Sequence, residues 1–224
     1  MSRIPTPQTE AELLERAERL AGDSLSGVAE RLGHAVPANL NHHKGWVGHL
    51  IERALGASAG SRDAPDFEAL GVELKTLPVD AAGRPFESTF VATILLSELT
   101  ELEWEQSRPC RKLTRVLWVP VQGDRRIPLN QRRIGTPFIW SPDADEGSAL
   151  RFDWDELAGL VARRGVEAVT GHVGQFLQIR PKARDASVRF LGSDNDGAPL
   201  RTLPRGFYLR PVFTHRIVRH RFGL

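Results

Sequence analysis

One cysteine, Cys110, occurs in 224 residues. A lone thiol can form neither an internal disulfide nor a multi-cysteine zinc site, so a disulfide scaffold is excluded and a reducing, cytosolic compartment is expected. Long apolar runs are missing as well. The densest, Phe90 to Leu96, falls far short of the roughly 20 residues that span a bilayer, and the first residues, Met1-Ser-Arg-Ile-Pro-Thr-Pro7, contain no apolar signal core. Neither export nor membrane insertion is expected. Internal repeats and low-complexity stretches are also absent.

What is present is the composition of an ordinary globular chain, 41% apolar and 26% charged, long enough for one large domain or two small lobes. The formal charge of +2 conceals an asymmetry. Residues 1–160 hold 18 Lys and Arg against 24 Asp and Glu, whereas residues 161–224 hold 12 against 4. A basic last third suits a chain that faces a polyanion, and equally a solvated basic surface, so charge alone decides nothing.

Thr9-Glu-Ala-Glu12 reads as a capping box, which starts a helix running to about Ala21 before Gly22. Leu25, Val28, Ala29 and Leu32 give a short second helix closing at Gly33, and Trp46, Val47, Leu50, Ile51, Ala54 and Leu55 a third ended by Gly56. The pattern then turns to β. Residues 71–78 alternate, Phe90 to Leu96 and Val116 to Val121 read as buried strands, Ile134 to Trp140 as a weaker one, and Gln175 to Ile179 and Phe207 to Leu209 as short ones. A helix is expected from about Ala149 to Arg164, and the Arg/His-rich tail reads as helical. The expected class is α/β, with a mixed central sheet flanked by helices.

The chemistry lies in one stretch. Pro65-Asp66 is followed, after six residues, by Glu73-Leu74-Lys75. Side chains two apart on a strand share a face, with Cα atoms roughly 6–7 Å apart, so Glu73 and Lys75 point the same way while Leu74 points into the core. The spacer contains Gly71 and is long enough to close a turn that returns Asp66 beside them. Hydrolysis of a phosphodiester needs an activated water and neutralised charge. Two carboxylates can hold one or two Mg²⁺ ions, and an ammonium beside them can bond the attacking water and offset transition-state charge. Glu52, about 60° past Leu55 on a helical wheel and at the border of the apolar stripe, offers a third carboxylate. The plain alternative is that Glu73 and Lys75 are exposed residues of an amphipathic strand, as most E-x-K triplets are. His42, His43 and His49 lack the further ligands of a zinc site, and Ser58, Ser61, Asp63 and His49 lack a nucleophile elbow.

Several blocks in one order carry more information. Lys44-Gly45-Trp46-Val47-Gly48, Glu52, Leu55-Gly56-Ala57-Ser58-Ala59-Gly60-Ser61, Asp66-Phe67, Leu70-Gly71-Val72-Glu73-Leu74-Lys75-Thr76, Arg115-Val116-Leu117-Trp118-Val119-Pro120, Leu177-Gln178-Ile179-Arg180-Pro181-Lys182-Ala183 and Leu203-Pro204-Arg205-Gly206-Phe207-Tyr208-Leu209 together resemble the MutH family. These are the strand-nicking endonucleases of methyl-directed mismatch repair, similar in fold to restriction endonucleases with a PD-(D/E)xK core. The resemblance covers most of the chain from about residue 9. It implies a restriction-endonuclease-like fold whose two lobes, about 1–145 and 146–224, form a DNA cleft. It further implies a Mg²⁺-dependent enzyme, with Mn²⁺ or Ca²⁺ as substitutes for binding. This enzyme nicks the unmethylated strand of hemimethylated GATC in double-stranded DNA, 5′ to the guanine, when stimulated by MutL after MutS finds a mismatch. Asp66, Glu73 and Lys75 match the catalytic triad, with Asp66 and Glu73 as metal ligands. Glu52 matches a supporting carboxylate, and Lys112 a basic residue at the scissile phosphate. Lys44, Gly45, Phe90, Arg180, Pro181, Lys182 and Tyr208 fall on positions that resemble DNA-contacting ones, Tyr208 as the sensor of adenine methylation.

Physical chemistry agrees with parts of this. Arg180 can donate a bidentate pair to guanine O6 and N7, and Arg180, Lys182, Arg184, Arg205 and Arg210 can neutralise phosphates. Tyr208 can sit against adenine N6; taken alone it reads more readily as a core tyrosine with a wet hydroxyl, and only the flanking block Arg205-Gly-Phe-Tyr-Leu209 lifts the first reading. With one metal site the chain is expected to act as a monomer. The competing readings are a restriction endonuclease cutting both strands at GATC and a DNA-binding module without catalysis. The stretches Glu98 to Glu105 and Asp185 to Pro199 depart from the family pattern and carry no assignment.

Overall fold

Thr9 starts α1 (Glu10–Glu18) as expected, its hydroxyl accepting from the Glu12 amide at 3.1 Å, but the Glu12 carboxylate reaches back to the amide of Gln8 at 2.7 Å and not to that of Thr9. The box therefore closes one residue early. Ser24 caps α2 (Leu25–Arg31) through the Gly27 amide. Gly45 and Gly56 bracket α3 (Trp46–Leu55), both left-handed, with φ of +87° and +80°. At Gly56 a Cβ would stand 2.5 Å from the Pro5 carbonyl oxygen, so conformation and close approach both require glycine there.

The apolar stripes of these helices meet one face of a three-stranded sheet, ordered β1 (Glu73–Val79), β3 (Val116–Gln122) and β4 (Phe138–Trp140). β1 and β3 run parallel, with Glu73 opposite Val116 and Lys75 opposite Trp118; β4 is antiparallel to β3. Leu13, Leu25, Leu50, Ile51 and Leu55 bury with Phe67, Val72, Leu74, Leu117 and Val119. The other face carries Trp118 against Trp140, ring centroids 6.2 Å apart.

This is a computed structural model, and it describes residues 4–40, 43, 45–60, 62–95, 99, 101–182, 190–193, 199–202 and 204–223. It is a mixed α/β protein whose strands divide among small sheets flanked by helices. Two compact units share the chain: residues 1–87, 114–141 and 218–224 form one, and residues 88–113 and 142–217 the other. A division near residue 145 does not describe them, because β2 (Thr89–Thr93), early in the chain, pairs late. Past β5 (Leu177–Pro181) and a hairpin of β6 (Phe190–Ser193) with β7 (Pro199–Thr202) comes β8 (Arg205–Leu209), which lies between β2 and β5 in an antiparallel sheet.

In this second unit the short α4 (Arg108–Leu113) follows a Ser107 cap, and α5 (Ala144–Arg164) covers the sheet with Trp154 5.2 Å from Phe207. α5 begins five residues before the expected Ala149. Asp143 and Glu146 form a full capping box, but the turn they open, Asp145-Glu146-Gly147-Ser148, has no apolar period to announce it. Asp153 of α5 is buried and accepts the amides of Gln175, Phe176 and Leu177 at 2.6–2.7 Å, which sets the start of β5. The chain closes with α6 (Pro211–Phe222). Among the described residues no helix is long and apolar enough to cross a membrane.

Candidate functional site

The turn between Asp66 and Glu73 is built by the backbone. Phe67 and Val72 exchange amide hydrogen bonds at 2.9 and 3.3 Å around a 3-10 turn, Glu68–Leu70, and Gly71 takes the left-handed conformation at φ +65° that closes it. Asp66 is thereby returned to the first residues of β1. Its carbonyl oxygen accepts from the Ser58 and Ala59 amides at 2.8 and 3.3 Å, and its Oδ2 accepts from the Leu74 amide at 2.8 Å. Glu73 and Lys75 share the opposite face from Leu74, with Lys75 Nζ donating to Glu73 Oε1 at 2.6 Å and both side chains almost fully buried.

Electrostatics ties this group together. The Asp66 carboxyl is raised from 3.8 to about 6, first by burial and next by the charge of Glu73; the Leu74 amide opposes the rise, Glu52 adds to it, and Lys75 opposes it. Glu52, on α3, is therefore within electrostatic reach of Asp66, and its carboxylate lies 3.2 Å from His49 Nδ1. Asp66 and Glu73 offer hard carboxylate oxygens of the kind that could hold a divalent cation. The paired acids Asp143 and Glu146 are, by contrast, accounted for by the cap of α5.

The second unit gathers another group on one face of its sheet. Phe90 (β2) pairs with Tyr208 (β8), their rings edge to face at 5.4 Å, and Gln178 and Arg180 (β5) stand opposite Tyr208 and Gly206. The Arg180 guanidinium lies 5.7 Å from the Tyr208 ring centroid and Lys182 Nζ 4.5 Å from that of Phe90. Burial raises the Tyr208 hydroxyl's pKa while Arg180 pulls it back, and burial lowers that of the Lys182 ammonium. Gly206 makes this packing possible, since a Cβ there would fall 2.8 Å from the Phe90 ring. The other face of the sheet, with Leu177, Ile179, Phe207 and Leu209, is core.

Gly45 precedes α3, Pro181 ends β5 in an exposed position, and Lys112 lies half-buried in the last turn of α4. Lys44, His42, Ser61 and Arg184 lie outside the described residues, as do Glu98 and most of the Asp185 to Pro199 stretch. Arg205 and Arg210 engage their donors within the fold: Arg205 pairs with Glu167 at 2.7 Å and reaches the Val169 carbonyl, and Arg210 donates to the carbonyls of Gly171, Val173 and Gly174. Both brace the loop before β5. Ser88, Thr93 and Gln178, which the sequence did not single out, also meet this face of the sheet, through hydrogen bonds that no local pattern encodes.

Residues 55–153 match the family model described as the DNA mismatch repair enzyme MutH. The whole chain is 49% identical over 223 residues to a DNA mismatch repair protein MutH of Shewanella baltica, covering all of both chains. It is 48% identical over 218 residues to that of Serratia proteamaculans, covering 97% of this chain and 96% of the relative. For Vibrio parahaemolyticus the figures are 49% over 214 residues, 96% and 95%.

Proposed function

The chain belongs to the MutH family of DNA mismatch repair enzymes, and from that premise we propose that it is a Mg²⁺-dependent endonuclease. In this reading it nicks the unmethylated strand of hemimethylated GATC sites 5′ to the guanine, activated by MutL once MutS has found a mismatch, and works in the cytoplasm as a monomer. One observation carries it: Asp66, Glu73 and Lys75 occupy one small volume at the start of β1, with an Asp66 carboxyl raised to about 6 partly by neighbouring negative charge that a cation would relieve.

Asp66 and Glu73 hold the ion, which supplies Lewis acidity at the scissile phosphate when bound. Lys75, kept in place by Glu73, offsets charge developing on the phosphoryl oxygens and orients the attacking water. Glu52 adds to the negative field, and Lys112 contacts the scissile phosphate. Reading belongs to the second unit. Arg180 offers its remaining donors to guanine O6 and N7, and Tyr208 meets adenine N6, where a methyl group changes hydrogen bonding and fit. Phe90, Pro181, Lys182, Lys44 and Gly45 complete the contacts.

The test is product analysis on hemimethylated, unmethylated and fully methylated duplexes with Mg²⁺, with and without MutL. A single nick in the unmethylated strand, stimulated by MutL and lost in Asp66→Ala and Lys75→Ala variants that still bind GATC duplex, is expected. Double-strand cutting indifferent to MutL would make the protein a restriction endonuclease. Binding without cleavage in any divalent metal would make it a reading module.

A further inference from the structure

On the reading face each cation is held twice. Arg180 lies against Tyr208 and donates through Nη1 to Ser88 Oγ at 3.0 Å; Lys182 lies against Phe90 and donates through Nζ to Thr93 Oγ1 at 2.8 Å. Ser88 Oγ also accepts from Gln178 Nε2 at 3.0 Å. An arginine and a lysine can only donate, so both hydroxyls act as acceptors here, and the two donors at Ser88 occupy both of its lone pairs.

The placement of the two hydroxyls follows from an irregularity. Ser88 and Thr93 are an odd number of residues apart and would project from opposite faces of a regular strand. β2 carries a bulge: Phe90 pairs with Tyr208, Ala92 with Phe207 and Thr93 with Gly206, leaving Val91 extra and buried. The slip returns Thr93 to the face of Phe90. Gly206, without a side chain, leaves the gap that the Phe90 ring of β2 fills.

We propose that Ser88 and Thr93 are specificity-positioning residues, whose hydroxyls at the two ends of a bulged edge strand hold Arg180 and Lys182 over Tyr208 and Phe90 before DNA arrives. The inference rests on the base-reading role given to this face above. A long cation left free in solvent has to be ordered when it engages a base, and each tether meets that cost in advance. The remaining donors of Arg180 then have one direction, which is what discrimination between bases requires.

Two readouts test this, one without DNA. Tyr208 is the sole tyrosine of the chain, so ring-¹³C tyrosine gives one resonance whose pH titration reports the nearby guanidinium. Ser88→Ala should move the Tyr208 titration upward, as Arg180 leaves, and Ser88→Thr should restore it. In nicking assays Ser88→Ala should lower kcat/KM on GATC about three- to tenfold, without weakening binding to duplex lacking GATC. Added to Arg180→Ala it should cost nothing more, and Thr93→Val should behave likewise toward Lys182→Ala. An unmoved Tyr208 titration, or a loss equal in the presence and absence of Arg180, overturns the proposal. A wild-type protein indifferent to GATC overturns the reading role itself and the purpose assigned to the tethers, and it is told apart from failure of the tether by a Tyr208 titration that still responds to Ser88→Ala.

Discussion

Replacing Asp66 by Asn separates charge from shape at the centre of the candidate site. The asparagine carbonyl can still accept from the Leu74 amide, while the charge that burial, Glu73 and Glu52 oppose is gone. A carboxyl at about 6 in the folded chain and near 3.8 unfolded favours folding when protonated. The metal-free wild type therefore loses stability as pH rises from about 4 through about 6, and above that the loss is complete. At about 1.4 kcal/mol per pKa unit the ceiling is about 3 kcal/mol, or roughly 6–12 °C in Tm for a chain of this size. Thermal unfolding in chelator should show Asp66→Asn more stable than wild type at about pH 7.5, by an amount that shrinks toward zero near about pH 4. Saturating Mg²⁺ should raise the wild type selectively, and the variant should not nick. An asparagine variant less stable than wild type at neutral pH, or a difference that ignores pH, would refute this account of Asp66.

Three further outcomes follow from the geometry. Lys75→Met leaves the buried Glu73 carboxylate without its 2.6 Å partner, which should cost about 3–5 kcal/mol in urea unfolding; adding Glu73→Gln should recover part of it, and a double variant as unstable as the single one would contradict the pairing. Gly206→Ala puts a Cβ 2.8 Å from the Phe90 ring and 3.1 Å from the Ala92 carbonyl oxygen, an overpacking expected to cost about 1–3 kcal/mol, and titrations should show GATC binding weakened more than binding to unrelated duplex. Asp153→Ala removes the acceptor of three amides, and a loss of at least about 3 kcal/mol is expected, with faster hydrogen exchange at Gln175, Phe176 and Leu177; unchanged exchange there would show that β5 does not depend on this carboxylate.

Much of the architecture was legible where local rules act alone. The caps at Thr9 and Ser24, the apolar stripe of α3 ending at Gly56, and the runs that became β1 and β3 each satisfy their own hydrogen bonds and periodicity within a few residues. The return of Asp66 was legible for the same reason, since Gly71 and the spacer length fix a short turn. Less visible were the start of α5, whose first turn is polar, and the hairpin of β6 and β7. The basic last third settled nothing by itself, because a count of charges does not say where donors point: Arg205 and Arg210 turn theirs onto Glu167 and backbone carbonyls.

Residue order by itself determined the first three helices, the strand bearing Glu73 and Lys75, and the acid placed to fold back on it, because these depend on spacing along a regular backbone. Which strand pairs with which, and so which unit owns residues 88–113, was decided only when β8 found β2 across more than a hundred residues. The same pairing produced the bulge at Val91 and put Thr93, Phe90, Tyr208 and Arg180 on one face. Alternation along a strand is a local property, but a bulge belongs to two strands at once, and neither segment carries it alone.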